Sequence, residues 1–310
     1  MASVRPLHLQ EGDAVGLISP AGWLSEEVID YGSDVLKEMG FVPVVHPSNY
    51  RRDHHFAGSV EHRAQAIRDM FLDDQVRALV CTKGGYGTEE LLDHLDFDLI
   101  GRRPKCVVGS SDATALLLAL STRSALVTFH GPMLLTFKHG RDESTIFHLR
   151  RSLTDTAPWS YDLESEALRV LRPGSGRGPL MGGNLTIVTD LIGTAYEPPT
   201  GGSILFFEDI DEELYRLGRM LLHLERAGKL HSVQGLLVGQ MTNITENKIQ
   251  LGRDLDQLVL EVCDGTDFPI VADFPCGHGS RLLTMPIGCP AHLTATEDGV
   301  DLALEEAPVR

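Results

Sequence analysis

The sequence predicts an α/β protein of two domains, on three observations. Short apolar, β-like runs alternate with helical segments through the first half, the pattern of a parallel sheet with helices on its faces. The chain has 310 residues, about twice the length of a typical domain. Regular patterning weakens between positions 140 and 178, where Pro158, Pro173 and Gly174-Ser175-Gly176-Arg177-Gly178 interrupt it.

Taken in order, Ala14–Ser19 reads as a buried strand that ends in the turn Pro20-Ala21-Gly22. Ser25–Met39 follows as a helix, with Ser25 placed to cap its start and Gly40 just past its end. Phe41–His46 is strand-like. Ser59–Leu72 carries Val60, Ala64, Ile67 and Phe71 at helical spacing. Val76–Cys81 and Cys106–Val108 are predicted strands, with a short helix over Thr88–Leu95 between them. Ala113–Leu120 is helical, Ala125–Phe129 β-like, and Thr145–Ser152 helical again. Beyond the break, strands are expected at Ile204–Phe207, Val233–Val238 and Ile270–Ala272. Glu212–Ala227 and Leu255–Cys263 are the accompanying helices. Ala291–Thr296 and Val300–Leu304 form a hairpin across Glu297-Asp298-Gly299. The expected architecture is a flavodoxin-like parallel-sheet domain at 1–140 and a connecting segment at 141–178. A smaller α/β domain with more β character completes the chain at 179–310.

Composition narrows the partners. Hydrophobic residues make up 42% and charged residues 23%, which suits a globular protein with a sizeable core. The net charge of −17 argues against nucleic acid and against anionic membrane surfaces, which both need a basic face. A small anionic substrate remains compatible, because a local pocket can oppose the global field. No apolar run resembles a secretory signal, and the densest, Ala115–Leu120, is far short of a membrane span. Five scattered cysteines without a C-x-x-C pair point to free thiols in a reducing cytoplasm.

Four segments could carry chemistry. In Lys105–Leu117 a strand runs into Gly109-Ser110-Ser111-Asp112 and a helix starts at once. Ligands gather at the carboxyl ends of strands on doubly wound sheets, and free N–H groups at a helix start can stabilise an oxyanion. Ser and Asp are also favoured helix caps, and the full G-x-S-x-G pattern is absent. Thr82-Lys83-Gly84-Gly85-Tyr86-Gly87 follows another strand, and its glycines let backbone approach a ligand. It is no phosphate loop, because the lysine precedes the glycines. Ser203–Asp209 is an apolar strand ending in Glu208 and Asp209. Phe274–Ser280 sets His278 between glycines after a further strand. A serine, a carboxylate and a histidine at strand ends are the parts of a Ser-His-acid hydrolase, whose chain order varies. Each segment alone also fits a capping, solvated or turn role. Neither an H-E-x-x-H nor a C-x-x-C motif occurs, and the adjacent His54 and His55 diverge on any regular element, so no metal is expected.

Read together, these segments resemble the LD-carboxypeptidases, serine peptidases that include the microcin C immunity peptidases. The resemblance runs in order through Gly12–Gly22, Phe56-Ala57-Gly58 with Arg63, Lys83–Gly87, Gly109–Thr114 and His130-Gly131-Pro132. It continues through Gly182–Thr194, Leu205–Asp209, Tyr215-Arg216, Arg219-Met220-Leu221, Gly277-His278-Gly279 and Pro286-Ile287-Gly288. It implies Ser111 as nucleophile, ahead of the neighbouring Ser110, with Glu208 as triad carboxylate and His278 as general base. His130 then falls in a structural segment. Backbone N–H groups of Asp112 and Gly85 are the oxyanion-hole candidates, and Lys83, Gly84 and Tyr86 the substrate-binding ones. No cofactor is implied.

The resemblance also implies cytoplasmic removal of terminal D-alanine from muropeptide tetrapeptides in cell-wall recycling, by a homodimer. Three positions depart from the family pattern: Lys83 and Glu90 stand where arginine is usual, and Arg281 replaces a common asparagine. An immunity-type peptidase acting on aminoacyl-nucleotide conjugates is the first alternative. The short 140–178 region, with Trp159 its only tryptophan, weighs against it. A non-catalytic binding protein of the same fold is the second.

Overall fold

The computed structural model describes residues 3–138, 142–164, 166–246 and 248–310. In chain order the elements begin with β1 (Ala14–Ile18), α1 (Glu26–Glu38), β2 (Val42–Val45), α2 (Val60–Leu72), β3 (Val76–Cys81), α3 (Phe97–Arg102), β4 (Cys106–Gly109) and α4 (Thr114–Ser124). Next come β5 (Thr128–His130), α5 (Leu134–Lys138), α6 (Glu143–Thr154), β6 (Arg169–Arg172), β7 (Gly174–Asn184), α7 (Leu185–Asp190) and β8 (Ile204–Ile210). The chain ends with α8 (Leu214–Arg226), β9 (Gly235–Thr242), α9 (Leu255–Val262), β10 (Ile270–Phe274), β11 (Met285–Ile287), β12 (Pro290–Thr296) and β13 (Gly299–Leu304).

Two compact units divide these elements. The first comprises Met1–Thr156, Leu282–Gly288 and Pro308–Arg310; the second comprises Ala157–Arg281 and Cys289–Ala307. In the first unit the strand order is β11-β5-β4-β3-β1-β2. Strands β1 to β5 run parallel, and β11 pairs antiparallel with β5. The order 2-1-3-4-5 is the flavodoxin-like winding, whose carboxyl edge is where ligands bind. Strand β3 is buried except at Arg77, and α4 has no exposed side chain from Ala115 to Leu120. Such a helix, apolar all round, is an interior element.

The second unit holds a seven-stranded sheet, β13-β12-β7-β8-β9-β10-β6. Its four middle strands β7 to β10 are parallel, whereas β6, β12 and β13 add antiparallel edges. The central strand β8 buries Ile204, Leu205, Phe206 and Phe207 completely. Helix α8 turns Leu217, Leu221 and Leu224 inward, the spacing of one helical face.

The expected α/β class and the flavodoxin-like first sheet therefore stand, but the middle of the chain differs. Residues 141–178, expected to connect two domains, contain α6 of the first unit and β6 and the start of β7 of the second. The expected boundary at 140/141 itself lies outside the described residues. The glycines of 174–178 belong to a strand because neighbouring backbone crowds it: an added Cβ at Gly176 would collide with the Gln234 carbonyl, and one at Gly178 with that of Gly202. The last segment is also not confined to 179–310 as one body, because β11 returns to the first sheet. Thr88–Leu95 forms a 3-10 helix over Glu89–His94. Ala125 is the left-handed C-cap of α4 rather than the start of a strand.

Phe129 on β5 has no exposed surface. Phe129→Ala is expected to destabilise the first unit by about 3–5 kcal/mol, measured as a shift in its urea unfolding midpoint.

Candidate functional site

In the first unit, strand β4 ends at Gly109 and a 3-10 turn over Ser111–Ala113 leads directly into α4. Ser111 sits at φ +55°, a left-handed conformation that costs a non-glycine residue on the order of 1–3 kcal/mol and concentrates at functional sites. A sharp strand-to-helix turn of this kind lifts a serine hydroxyl clear of the sheet. Ser110, in extended backbone and only 6% exposed, faces the interior instead. The turn after β3 lies against this elbow. A Cβ on Gly84 would come 2.9 Å from Ser111 Cβ, 3.0 Å from its Oγ and 3.2 Å from the Asp112 nitrogen. Only a glycine allows that approach.

Asp112 is nearly buried, and its Oδ2 accepts hydrogen bonds from Thr88 N at 3.0 Å and Thr88 Oγ1 at 2.5 Å. Burial pushes its carboxyl above the usual range, against the pull of the Thr88 and Gly87 hydrogen bonds and the Arg63 charge. Its side chain thus anchors the glycine turn, and its backbone nitrogen lies beside Gly84. Lys83 folds across the loop after β1, where a Cβ on Gly22 would lie 3.4 Å from its Nζ. The Tyr86 ring is exposed and tilts on Phe56. His55 covers Gly85, where a Cβ would meet its Nε2 at 3.0 Å. His54 bonds Asp53 at 2.9 Å. His130 is fully buried at the end of β5.

The second unit pairs the other two residues. Glu208 lies within β8 with no exposed surface, and its Oε2 accepts a hydrogen bond from His278 Nδ1 at 2.6 Å. A carboxylate only accepts, so the proton rests on Nδ1 and Nε2 is left as the basic nitrogen. Asn184 Nδ2 donates to Glu208 Oε1 at 3.5 Å and to Asp209 Oδ1 at 2.9 Å. Thr186 donates to Asp209 Oδ2 through its N at 2.9 Å and its Oγ1 at 2.8 Å. Burial would lower the His278 pKa, but the Glu208 hydrogen bond and charge, with Asp209 and Asp211, lift it above the ordinary histidine value. Cys276 beside it is buried, and burial with the Glu208 charge pushes its thiol far above the usual value, which keeps it inert.

Two of the departing charges are engaged within their own units. Arg63 pairs with Glu90 at 2.7 Å, and Arg281 pairs with Glu166. Sequence reasoning assigned no role to three supporting residues. Gln240 accepts from Gly277 N at 3.3 Å, Asn184 steadies the acid pair, and Arg63 holds the glycine turn. Asn184 had one legible signal, its position as the N-cap of α7, where Oδ1 accepts from Ile187 N. Among the described residues no three His, Cys, Asp or Glu side chains converge as metal ligands, and no helix is long and apolar enough to cross a membrane.

A serine elbow in one unit and a buried acid–histidine pair in the other are the components of a serine hydrolase. The chain matches the LD-carboxypeptidase N-terminal domain over residues 15–131 and the LD-carboxypeptidase C-terminal domain over 177–293. It is similar to the probable murein peptide carboxypeptidase of Bacillus subtilis, 35% identical over 294 residues, 94% of this chain and 92% of that one. The microcin C7 self-immunity protein MccF of Escherichia coli is 29% identical over 314 residues, covering 90% of each chain. The crystal structure of muramoyltetrapeptide carboxypeptidase from Oxalobacter formigenes superposes with a TM-score of 0.86 at 29% identity, covering 96% of this chain and 100% of that one. The protein belongs to the LD-carboxypeptidase family and is a serine-type peptidase.

The Glu208–His278 pair has a direct spectroscopic consequence. In an NMR pH titration His278 should titrate above the ordinary histidine range, and Glu208→Gln should lower its pKa by removing the charge that holds the imidazolium. An unchanged midpoint in the variant would show that the carboxylate does not govern the imidazole.

Proposed function

We propose that this enzyme is a carboxypeptidase that hydrolyses an L-to-D amide bond and releases terminal D-alanine from muropeptide tetrapeptides in the cytoplasm during cell-wall recycling. The observation that carries the reading is the 2.6 Å bond between His278 and a fully buried Glu208, in a family whose elbow position here holds a left-handed Ser111.

In this reading Ser111 Oγ attacks the carbonyl of the scissile amide while His278 Nε2 takes its proton. Glu208 holds the imidazole tautomer and stabilises the imidazolium. The oxyanion of the tetrahedral intermediate accepts hydrogen bonds from the N–H groups of Asp112 and Gly85. Collapse breaks the C–N bond, and His278 delivers its proton to the departing D-alanine amine. Water then attacks the acyl-enzyme by the same proton route in reverse. Lys83 supplies a point charge for the free carboxylate of the substrate, with Gly84 and Tyr86 forming the adjoining surface. Assembly as a homodimer is part of the same reading, checked by light scattering.

The aminoacyl-nucleotide alternative gains no aromatic reader from Trp159. That ring is 6% exposed and packs edge-on against Tyr161 at 4.6 Å between centroids.

Incubation with L-Ala-D-Glu-mDAP-D-Ala should release D-alanine, detected by mass spectrometry, and Ser111→Ala should abolish release while leaving the melting temperature nearly unchanged. Turnover by the Ser111→Ala variant would sink the mechanism. Turnover of an aminoacyl-nucleotide conjugate but not of the tetrapeptide would sink the substrate alone. Because the base must be neutral, the raised His278 pKa should move the acidic limb of kcat/KM to higher pH, and Glu208→Gln should move it back with much activity lost. Gly84→Ala forces a Cβ against Ser111 and should cut kcat/KM on the order of 10²-fold in steady-state assays.

A further inference from the structure

Arg63 of α2 is 1% exposed, yet it carries a full charge into the first unit. Its Nη1 donates to the carbonyls of Pro20 at 2.7 Å and Gly87 at 2.8 Å, and its Nη2 to Glu90 Oε2 at 2.7 Å. The guanidinium also lies over the Phe56 ring, 4.7 Å from its centroid. Its Nε has no acceptor among the described residues. One planar cation therefore ties the loop after β1, the turn after β3 and the 3-10 segment that follows.

A buried charge is a poor device for stability alone, since desolvation offsets much of the attraction. The location of its acceptors points elsewhere. Gly87 closes the turn whose Gly84 packs on Ser111. The next residue, Thr88, gives both its N–H and its hydroxyl to the Asp112 carboxylate. Gly87 stands at φ +115°, and a Cβ there would meet Phe56 Cε1 at 2.7 Å and Arg63 Nη1 at 2.9 Å. The turn is thus shaped against the guanidinium on one side and bolted to the elbow residue on the other.

We propose that Arg63, acting through Gly87 and Thr88, is a positioning residue that sets the spacing of the Gly85 and Asp112 N–H groups around the oxyanion. The inference rests on the assignment of Ser111 as nucleophile. Oxyanion donors act on developing charge rather than on the ground state. Loosening them slows the chemical step and leaves substrate binding nearly unaltered. Lysine cannot reproduce the arrangement, because an ammonium lacks the planar fork that reaches both carbonyls and Glu90.

The test is the rate of Ser111 phosphonylation by a small fluorophosphonate, followed by intact-protein mass spectrometry. In that reaction the Oγ–P bond forms, the P–F bond breaks, fluoride leaves and the hydroxyl proton passes to His278. The probe carries no carboxylate, so the outcome does not depend on the natural substrate. Arg63→Lys and Thr88→Val are each expected to react about tenfold or more slowly than the unaltered enzyme. Their pH profiles should keep the same acidic limb, since the Glu208–His278 pair is intact. Thr88→Ser, which keeps the hydroxyl donor, should restore most of the rate. Wild-type rates in both Arg63→Lys and Thr88→Val would overturn the inference, as would a Thr88→Ser variant as slow as Thr88→Val. Should Arg63→Lys fail to melt cooperatively, the Thr88 pair decides the question alone. If the unaltered enzyme is not labelled at Ser111, the nucleophile assignment falls first and the inference with it.

Discussion

A carboxylate with no exposed surface must find all its partners inside the fold, and Glu208 imposes that demand on the second unit. Leaving such a charge unpaired costs several kcal/mol. The parallel register of β7 against β8 sets Asn184 directly beside Glu208. Asn184 then divides its amide, with Nδ2 toward the two acids and Oδ1 capping α7. Space beside the carboxylate is equally constrained. A side chain at Gly239 would begin 2.9 Å from Glu208 Cβ, and one at Gly277 would begin 3.1 Å from it. Strand, cap and glycine turn all serve to hold one imidazole by one oxygen.

The first unit meets the same problem with the opposite sign. Arg63 is a fully buried cation there, and the groups it satisfies are mainly backbone carbonyls rather than a second ion. Asp112 lies within reach of that charge and is bonded by Thr88, so a cation and a carboxylate share one short stretch of chain between them. The two units therefore use buried charge differently. In the second the charge acts on a titrating group, and in the first it acts on the shape of a backbone turn.

Much of this was legible in the sequence, and what was not has identifiable causes. Val76–Cys81 could be bounded to the residue because a buried parallel strand reads as a nearly continuous apolar run, interrupted here only by the exposed Arg77. The elbow was legible because strand, serine and helix are contiguous. Strand β7 was not, since its glycines answer to the Gln234 and Gly202 carbonyls, which are remote in sequence. Strand β11, three residues long, carries no period to detect. The bond between Glu208 and His278 spans 70 positions, so no spacing rule could join them; family resemblance alone did. Glu90 and Arg281 stood out in the sequence only as departures from the family pattern, and the tertiary contacts reveal Arg63 and Glu166 as their partners.

Those two pairings change what the net charge of −17 requires. With Glu90 held by Arg63 and Arg281 held by Glu166, neither offers an unopposed charge to an incoming anion. Lys83 differs: among the described residues its ammonium has no carboxylate partner, and its stem lies along Gly22 at the carboxyl edge of the first sheet. An ammonium is a strongly hydrated point charge that accepts many approach angles, where a guanidinium fork fixes one. In the proposed function, recognition of a substrate carboxylate by Lys83 would therefore depend on Coulomb attraction more than on hydrogen-bond geometry. Such attraction is screened over roughly 8 Å at physiological ionic strength. Within that radius the ammonium is felt, and beyond it the surplus of acidic side chains is screened as well. A strongly acidic protein can in this way present one locally cationic position to a small anion without becoming a binder of polyanions.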